Sequence, residues 1–565
     1  MLQSSGGRAP ALPAPEEPAV RTVLLRGGDV YSPADPFATA LLVQDGQVAW
    51  VGSDGAAESY ARDADLVVDL EGALVTPAFV DAHVHATSTG LALTGLDLTG
   101  CPDLAEALRR ITAFVRAQPA AARERGVLLG HGWDETGWPE GRPPTLDELD
   151  RACEGAAVYL SRTDVHSALA STALRALVGA ELAGRAGYQA DAPLSRDAHH
   201  AVRRAALARQ TPQQRDAAQR AMLRRAAELG IGAVHECAGP DISSPEDLTA
   251  LLALAAGGSA GRAVPEGRAV PEVFGYWGEL GAVDTARRLG AVGAGGDLFV
   301  DGAVGSHTAC LHRPYSDDPE LDGAAYLTAE QIAEHVAACT EAGMQAGFHA
   351  IGDAALTAVT EGVRAAADKL GIAAVRALRH RVEHAELLDA AAVAAFADLG
   401  LTASVQPAFD AAWGGEDGMY VTRLGAERAR AMNPFAAMVR AGVPLAFGSD
   451  APVTPLDPWG TVRAAAFHRT PAHRVSVRAA FTAHTRGGWR ALGRDDAGVL
   501  VPGAPASYAV WAPTDLVVQA PDERVANWST DPRSGVPGLP DLTPGGPVPD
   551  CLATVVRGRT AHLAG

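Results

Sequence analysis

Leu74-Val75-Thr76-Pro77-Ala78-Phe79-Val80-Asp81-Ala82-His83-Val84-His85 is the stretch on which the reading of the whole chain turns. An apolar run ends in two histidines spaced i, i+2. In a strand, side chains alternate with period two, so both imidazoles share one face. At the C-terminal end of a barrel strand that face is where barrel enzymes keep their chemistry. A His-x-His pair there can give two nitrogen ligands to one transition-metal ion. Taken alone, the pair reads equally well as two histidines at a strand end near the surface.

Working outward, the segment from 211 to 486 alternates apolar strands with helices, the pattern of a parallel α/β sheet. Predicted strands end at His85, at Ile231-Gly232-Ala233-Val234-His235-Glu236, at Val273-Phe274-Gly275-Tyr276 and at Leu298-Phe299-Val300-Asp301. Four more end at His349, His384, Gln406 and Asp450. Eight strands close a (β/α)8 TIM barrel. Thr211-Pro212 opens a helix that Gly230 closes, and Thr328 with Gln331 opens another. Residues 86–210 do not fit one barrel unit. They hold Val127-Leu128-Leu129-Gly130-His131 and Val158-Tyr159-Leu160-Ser161-Arg162, and read as an insertion after the first strand, packed over the barrel mouth.

Short strands also occupy both chain ends. Asp45-Gly46 between two apolar runs is a hairpin signal. Residues 21–77 and 487–565 are each too small to bury a core alone, so they are expected to pair as one composite β-sandwich beside a barrel of residues 78–486. Residues 1–20, rich in Pro, Ala and Gly, read as a disordered tail, and 530–549 as loop. Within 261–272 Gly-Arg-Ala-Val-Pro-Glu occurs twice in tandem, a loop expansion without chemistry.

The net charge of −20 argues against nucleic acid or an anionic membrane as partner, and six scattered cysteines without a CxxC pair argue against a disulfide framework or thiolate zinc site. The partner expected is a small-molecule substrate. A cytoplasmic location is the default expectation, and a homodimer is a guess by analogy.

His349, His384 and Asp450 share one feature with the opening pair: each is the last residue of a predicted strand. Parallel strands bring those ends together, so residues far apart in sequence meet. Imidazole and carboxylate suit zinc and its borderline relatives; zinc is expected, with iron and manganese open.

The motifs here resemble those of the amidohydrolase superfamily. Thr76 to His85 is similar to its first-strand motif, with Ala78 where Gly is usual. His349-Ala350-Ile351-Gly352-Asp353, Arg381-Val382-Glu383-His384 and Gly448-Ser449-Asp450-Ala451-Pro452 resemble its fifth, sixth and eighth strand motifs. Asp301 to Ala309, Gly130-His131-Gly132-Trp133-Asp134 and Arg162-Thr163-Asp164-Val165-His166-Ser167 resemble the branch containing N-substituted formamide deformylase. The resemblance implies a metal-dependent hydrolase cleaving a non-peptide amide C–N bond, of an N-acyl or N-formyl small molecule, with Asp450 as general base and acid and His384 as catalytic group or ligand. A hydrolytic deaminase of a heterocyclic amine and a metal-binding pseudoenzyme are the alternatives. Trp133, Asp134, His166, Asp301 and His307 are candidate substrate contacts, and Asp164 and His166 can instead organise the insertion. His235-Glu236 is expected to line the pocket without ligating. His199, His200, His468 and His473 are expected at the surface.

One position departs from the branch, whose members carry a carboxylated bridging lysine four residues before the Asp-Gly of the fourth strand. Asp297 stands there, and Lys369 is the only lysine in the chain. The aspartate side chain is shorter and is expected to fall short of the barrel centre unless the backbone shifts. One ion held by His83, His85, His349 and Asp450, with His384 beside it, is therefore expected; the other reading has Asp297 or Asp301 bridging two.

Overall fold

The computed structural model describes residues 21–257, 269–519, 528–529 and 536–564. The N-terminal tail, most of the tandem hexapeptide and the start of the 530–549 loop lie outside the described residues.

Eight parallel strands follow one another around a (β/α)8 barrel in chain order: β1 (Phe79–Val84), β2 (Ile231–Ala238), β3 (Glu272–Trp277), β4 (Gly293–Ala294), β5 (Gln345–Ala350), β6 (Arg381–His384), β7 (Thr402–Val405) and β8 (Leu445–Phe447). The ring closes just beyond β8. Val84 bridges Ala451 in parallel, and Asp450 donates its backbone N–H to the His83 carbonyl at 2.8 Å. Closure thus sets Asp450 beside the His-x-His pair.

The fourth strand differs from the sequence expectation. It is the two-residue Gly293–Ala294, not Leu298–Asp301. Gly295 and Gly296, with φ of +151° and +80°, break the strand. A Cβ at Gly295 would lie 2.1 Å from the Gly347 nitrogen, so only glycine allows β5 this close. Beyond the break, Leu298 to Val300 resume pairing along His349, with backbone hydrogen bonds of 3.0 and 2.9 Å.

Helix signals in the sequence are realised as caps. Thr211 closes a capping box with Gln214 ahead of the helix Pro212–Glu228, and Thr328 does so with Gln331 ahead of Ala329–Glu341. Among the described residues no helix is long and apolar enough to cross a membrane.

The insertion has its own five-stranded sheet, running from Leu194–Ser195 through Ser167–Ala170, Val158–Arg162 and Leu128–Trp133 to Leu96–Asp97. Two apolar clusters, one around Ile111 and Trp138 and one around Leu174 and Val202, pack against it. Both chain ends share a second core. Leu74–Pro77 pairs antiparallel with Tyr508–Trp511, and Leu25, Leu41 and Val75 are buried with Leu500, Tyr508 and Val555. Asp45 and Gly46, both at positive φ, make the tight turn of the first hairpin.

Candidate metal centre

His83 is oriented from below. Its Nδ1 lies 2.9 Å from Glu383 Oε2, and Glu383 is held by Arg381, which is itself fully buried. Arg381 also donates to the Ala82 carbonyl and Ser404 Oγ, contacts His235 Nδ1 at 3.1 Å, and lies over the Tyr276 ring. Burial opposes ionisation of Glu383, but the guanidinium outweighs it and holds the carboxyl down at about 2. The ionised Glu383 accepts the Nδ1 proton of His83, leaving Nε2 free to face the barrel mouth. His384 is set in the same way, with Nδ1 2.8 Å from Gln406 Oε1 and Nε2 facing inward.

At the mouth these nitrogens meet two carboxylates. Asp297 Oδ1 lies 3.4 Å from His83 Nε2, 3.4 Å from His349 Nδ1 and 3.7 Å from His384 Nε2, while its Oδ2 is 3.2 Å from His85 Nε2. Asp450 Oδ1 lies 3.4 Å from His83 Nε2 and 3.1 Å from His85 Nε2. Asp297 therefore does reach the middle. The kink at Gly295-Gly296 supplies the backbone shift that its short side chain needs.

His83 Nε2, His349 Nδ1, His384 Nε2, Asp297 Oδ1 and Asp450 Oδ1 are all buried and make no hydrogen bond. Buried polar atoms are rarely left so, and five converging on one point call for a cation. Ligand atoms about 2.1 Å from a tetrahedral zinc ion stand about 3.4 Å from each other, matching the spacing seen. The donors fall into overlapping sets, among them His83, His85 and Asp297, and Asp297, His349 and His384. The residues present thus fit a metal centre, with Asp297 common to both sets.

Backbone strain gathers at the same place. His384 and Asp450 have φ of +69° and +54°, a region costly for residues with a Cβ. Burial pushes the Asp450 carboxyl up, but the facing histidines outweigh it and leave it lowered.

A chamber opens above the cluster, walled by Val304, Phe409, Trp413, Met419 and Val453 and carrying His166, Glu386 and Tyr420 as polar groups. The Tyr420 hydroxyl donates to Glu386 at 2.5 Å, and burial lifts the Glu386 carboxyl to about 7. Burial, then the neighbouring His349, lowers His166 to about 3, so its ring is neutral.

Of the expected substrate contacts, His166 lines this chamber and the other four do not. Trp133 is buried in the insertion core and donates to the Leu160 carbonyl. Asp134 is held by Arg162 at 2.7 Å, in a cluster where the same guanidinium also takes Glu135 and Asp164. Asp301, fully buried, accepts the backbone N–H groups of Cys310, Ile351 and Gly352, which fixes the mouth loops and leaves it no role as a bridge. His307 sits 3.1 Å from Asp317. Glu236 accepts the Ala86 N–H at 2.6 Å, and His235 packs below the ligands.

Two surface expectations fail. His199 and His468 are each 1% exposed, the first contacting the Tyr159 hydroxyl and the second accepting from the Thr470 N–H. His200 and His473 are half-buried. Tertiary packing around residues 159 and 410 covers them, which adjacency in sequence does not show. Glu383, Gln406, Glu386 and Tyr420 went unread as site residues. Glu383 and Gln406 left signals, the first standing next to His384 in the sixth strand and the second ending the predicted seventh.

The sequence profile of the amidohydrolase family matches residues 66–562. The chain belongs to that family. Among curated proteins it is 26% identical to Protein LONG AFTER FAR-RED 3 of Arabidopsis thaliana over 536 residues, covering 87% of each. It is also 26% identical to the putative amidohydrolase YtcJ of Bacillus subtilis, covering 79% of this chain and 83% of YtcJ. An uncharacterized metal-dependent hydrolase of Pyrococcus horikoshii superposes with a TM-score of 0.68 at 24% identity, over 90% of this chain and 99% of that one, and so shares the fold.

Proposed function

We propose that this amidohydrolase-family chain is a metal-dependent hydrolase that cleaves a non-peptide amide C–N bond in a small N-acyl or N-formyl compound. The observation that carries the reading is the convergence of four histidines and two aspartates, five of whose inward atoms have no hydrogen-bond partner. His83, His85 and Asp450 would hold one divalent ion, zinc being the best match to the donors, and His349 and His384 a second, with Asp297 between them. This departs from the single ion the sequence suggests, because Asp297 is in reach of all four histidines. Such ions, when bound, lower the pKa of water and polarise a carbonyl.

The chain's own residues then do the proton work. Asp450, ionised and at the mouth, takes a proton from the attacking water as its oxygen bonds to the carbonyl carbon. The same carboxyl gives that proton to the nitrogen as the C–N bond breaks, releasing an acid and an amine. Glu383 and Gln406 keep His83 and His384 in the tautomers that face the site. His166, neutral, can donate one hydrogen bond to the substrate, and the apolar wall of Phe409, Trp413 and Met419 sheds water from the chamber.

Metal analysis of the purified protein tests this. Zinc, iron or manganese is expected at about two ions per chain, falling toward one or none in Asp297→Ala. A preparation that binds no such metal, and does not respond to added metal, would refute the reading. Release of a carboxylic acid and an amine separates amide hydrolysis from deamination, which would release ammonia and the oxo form of the heterocycle.

A further inference from the structure

The helix Arg196–Leu207 of the insertion packs against the flank of the barrel mouth, where His200 stacks on Phe299 and Phe299 meets the His349 ring edge to face. One turn from His199 on this helix is Arg203, only 6% exposed. Among the described residues no carboxylate or carbonyl pairs with its guanidinium. Arg162 and Arg381, the other deeply buried arginines described above, are each tied to carboxylates. An arginine cannot shed its charge, and a buried cation without a counter-charge is costly.

Nearby acids are already engaged. Arg204 takes Asp241 at 2.5 Å, and Asp247 accepts from Thr87 with Arg215 at 4.0 Å. His199, held neutral by burial and by the cations around it, adds no second positive charge beside Arg203.

Arg203 faces a small cavity of about 50 Å³. Its walls are mostly apolar, with Leu91, Leu129, Leu207 and Pro452, and Ser88 and Tyr159 add hydroxyls. A larger cleft on the solvent side shares Ser88, Arg203 and Leu207, giving a way in. The cavity is walled in part by residues of the segments that carry candidate ligands. Ser88 is three residues after His85, and Pro452 two after Asp450.

We propose that Arg203 anchors a carboxylate-binding subsite, taking a monoanionic carboxylate on an apolar body beside the metal centre. The guanidinium supplies paired N–H donors to the carboxylate, and the Ser88 hydroxyl stands by as a further donor. Two sources share this chemistry: the carboxylate tail of the amide substrate, or a free carboxylic acid. The first rests on the hydrolase reading above; binding as such does not.

Calorimetry on the full-length, metal-loaded chain tests the subsite with hexanoate against its uncharged match, hexanamide. Hexanoate is expected to bind at least tenfold more tightly. Arg203→Met should abolish that preference and Arg203→Lys should keep part of it. Should the Met variant fail to fold, Ser88→Glu places an internal carboxylate beside the guanidinium and should remove hexanoate binding in its stead. No preference in the wild-type chain, or an undiminished one in Arg203→Met (a carboxylate resting on the metal centre), overturns the proposal. Paired amide substrates with and without a terminal carboxylate then assign the source. A tenfold rise in KM in Arg203→Met for the carboxylated member alone identifies a substrate tail; unchanged KM for both, with hexanoate binding lost, identifies a free acid.

Discussion

Two buried charge clusters lie close together over this barrel and are built on opposite terms. In the insertion, Arg162 is matched by Asp134, Glu135 and Asp164, and Ser306 donates to Asp164 in turn. At the strand ends, Asp297, Asp450 and the inward histidine nitrogens converge with nothing between them to bond. The first cluster is electrostatically complete and joins the insertion to the barrel loops. The second is complete only with a cation added. A fold tolerates unsatisfied polar atoms at such density when something else is to satisfy them, so the contrast separates scaffolding from chemistry without reference to residue type.

The comparison can be broken at either cluster. The largest effect is expected from Asp450→Ala, which removes the proton carrier: turnover should fall by about 10²- to 10⁴-fold with the circular dichroism spectrum unchanged. A variant within twofold of wild type would move the general base elsewhere. Arg162→Met strands three carboxylates and should cost about 3–5 kcal/mol of stability, read from denaturant unfolding, while metal content per folded chain stays the same. Loss of metal in that variant would show that the two clusters are not independent. Gln406→Ala frees the ring of His384 to rotate and should weaken metal binding by about 10- to 100-fold in a chelator competition. The smallest effect is expected at Gly296, whose φ of +80° and whose built Cβ 3.1 Å from Cys237 Sγ make Gly296→Ala a strained replacement. It should cost about 1–2 kcal/mol and lower metal content by displacing Asp297. A Gly296→Ala chain with full metal content would show that the glycine kink is not what brings Asp297 inward.

Much of the barrel was legible because its signals are local. Strand periodicity put His83 and His85 on one face, and Thr211 and Thr328 marked their helices by side-chain caps visible three residues away. The end of β6 at His384 and of β5 near His349 follow from the same alternation of apolar runs and helices. Where the reading failed, the deciding contact was long-range. The fourth strand stops at Ala294 because β5 passes close over Gly295, and that same approach turns Asp297 toward the histidines. His199 and His468 are buried by elements 40 and 58 residues away in sequence, which no local pattern encodes. Trp133 and Asp301 matched a motif yet spend their polar atoms on backbone groups of neighbouring loops.

By itself the sequence determined the alternation of strands and helices around the barrel, the strand character of both chain ends, and the histidines and aspartate that stand at four strand ends. These follow from side-chain periodicity and backbone preference, both properties of a few consecutive residues. Only the tertiary structure decided that Asp297 sits among four histidines, that Asp301 is a loop fastener, and that Arg203 is buried without a counter-charge. Each of those depends on which groups ring closure and insertion packing bring within a few ångströms, and charge and hydrogen-bond energies are set at that distance.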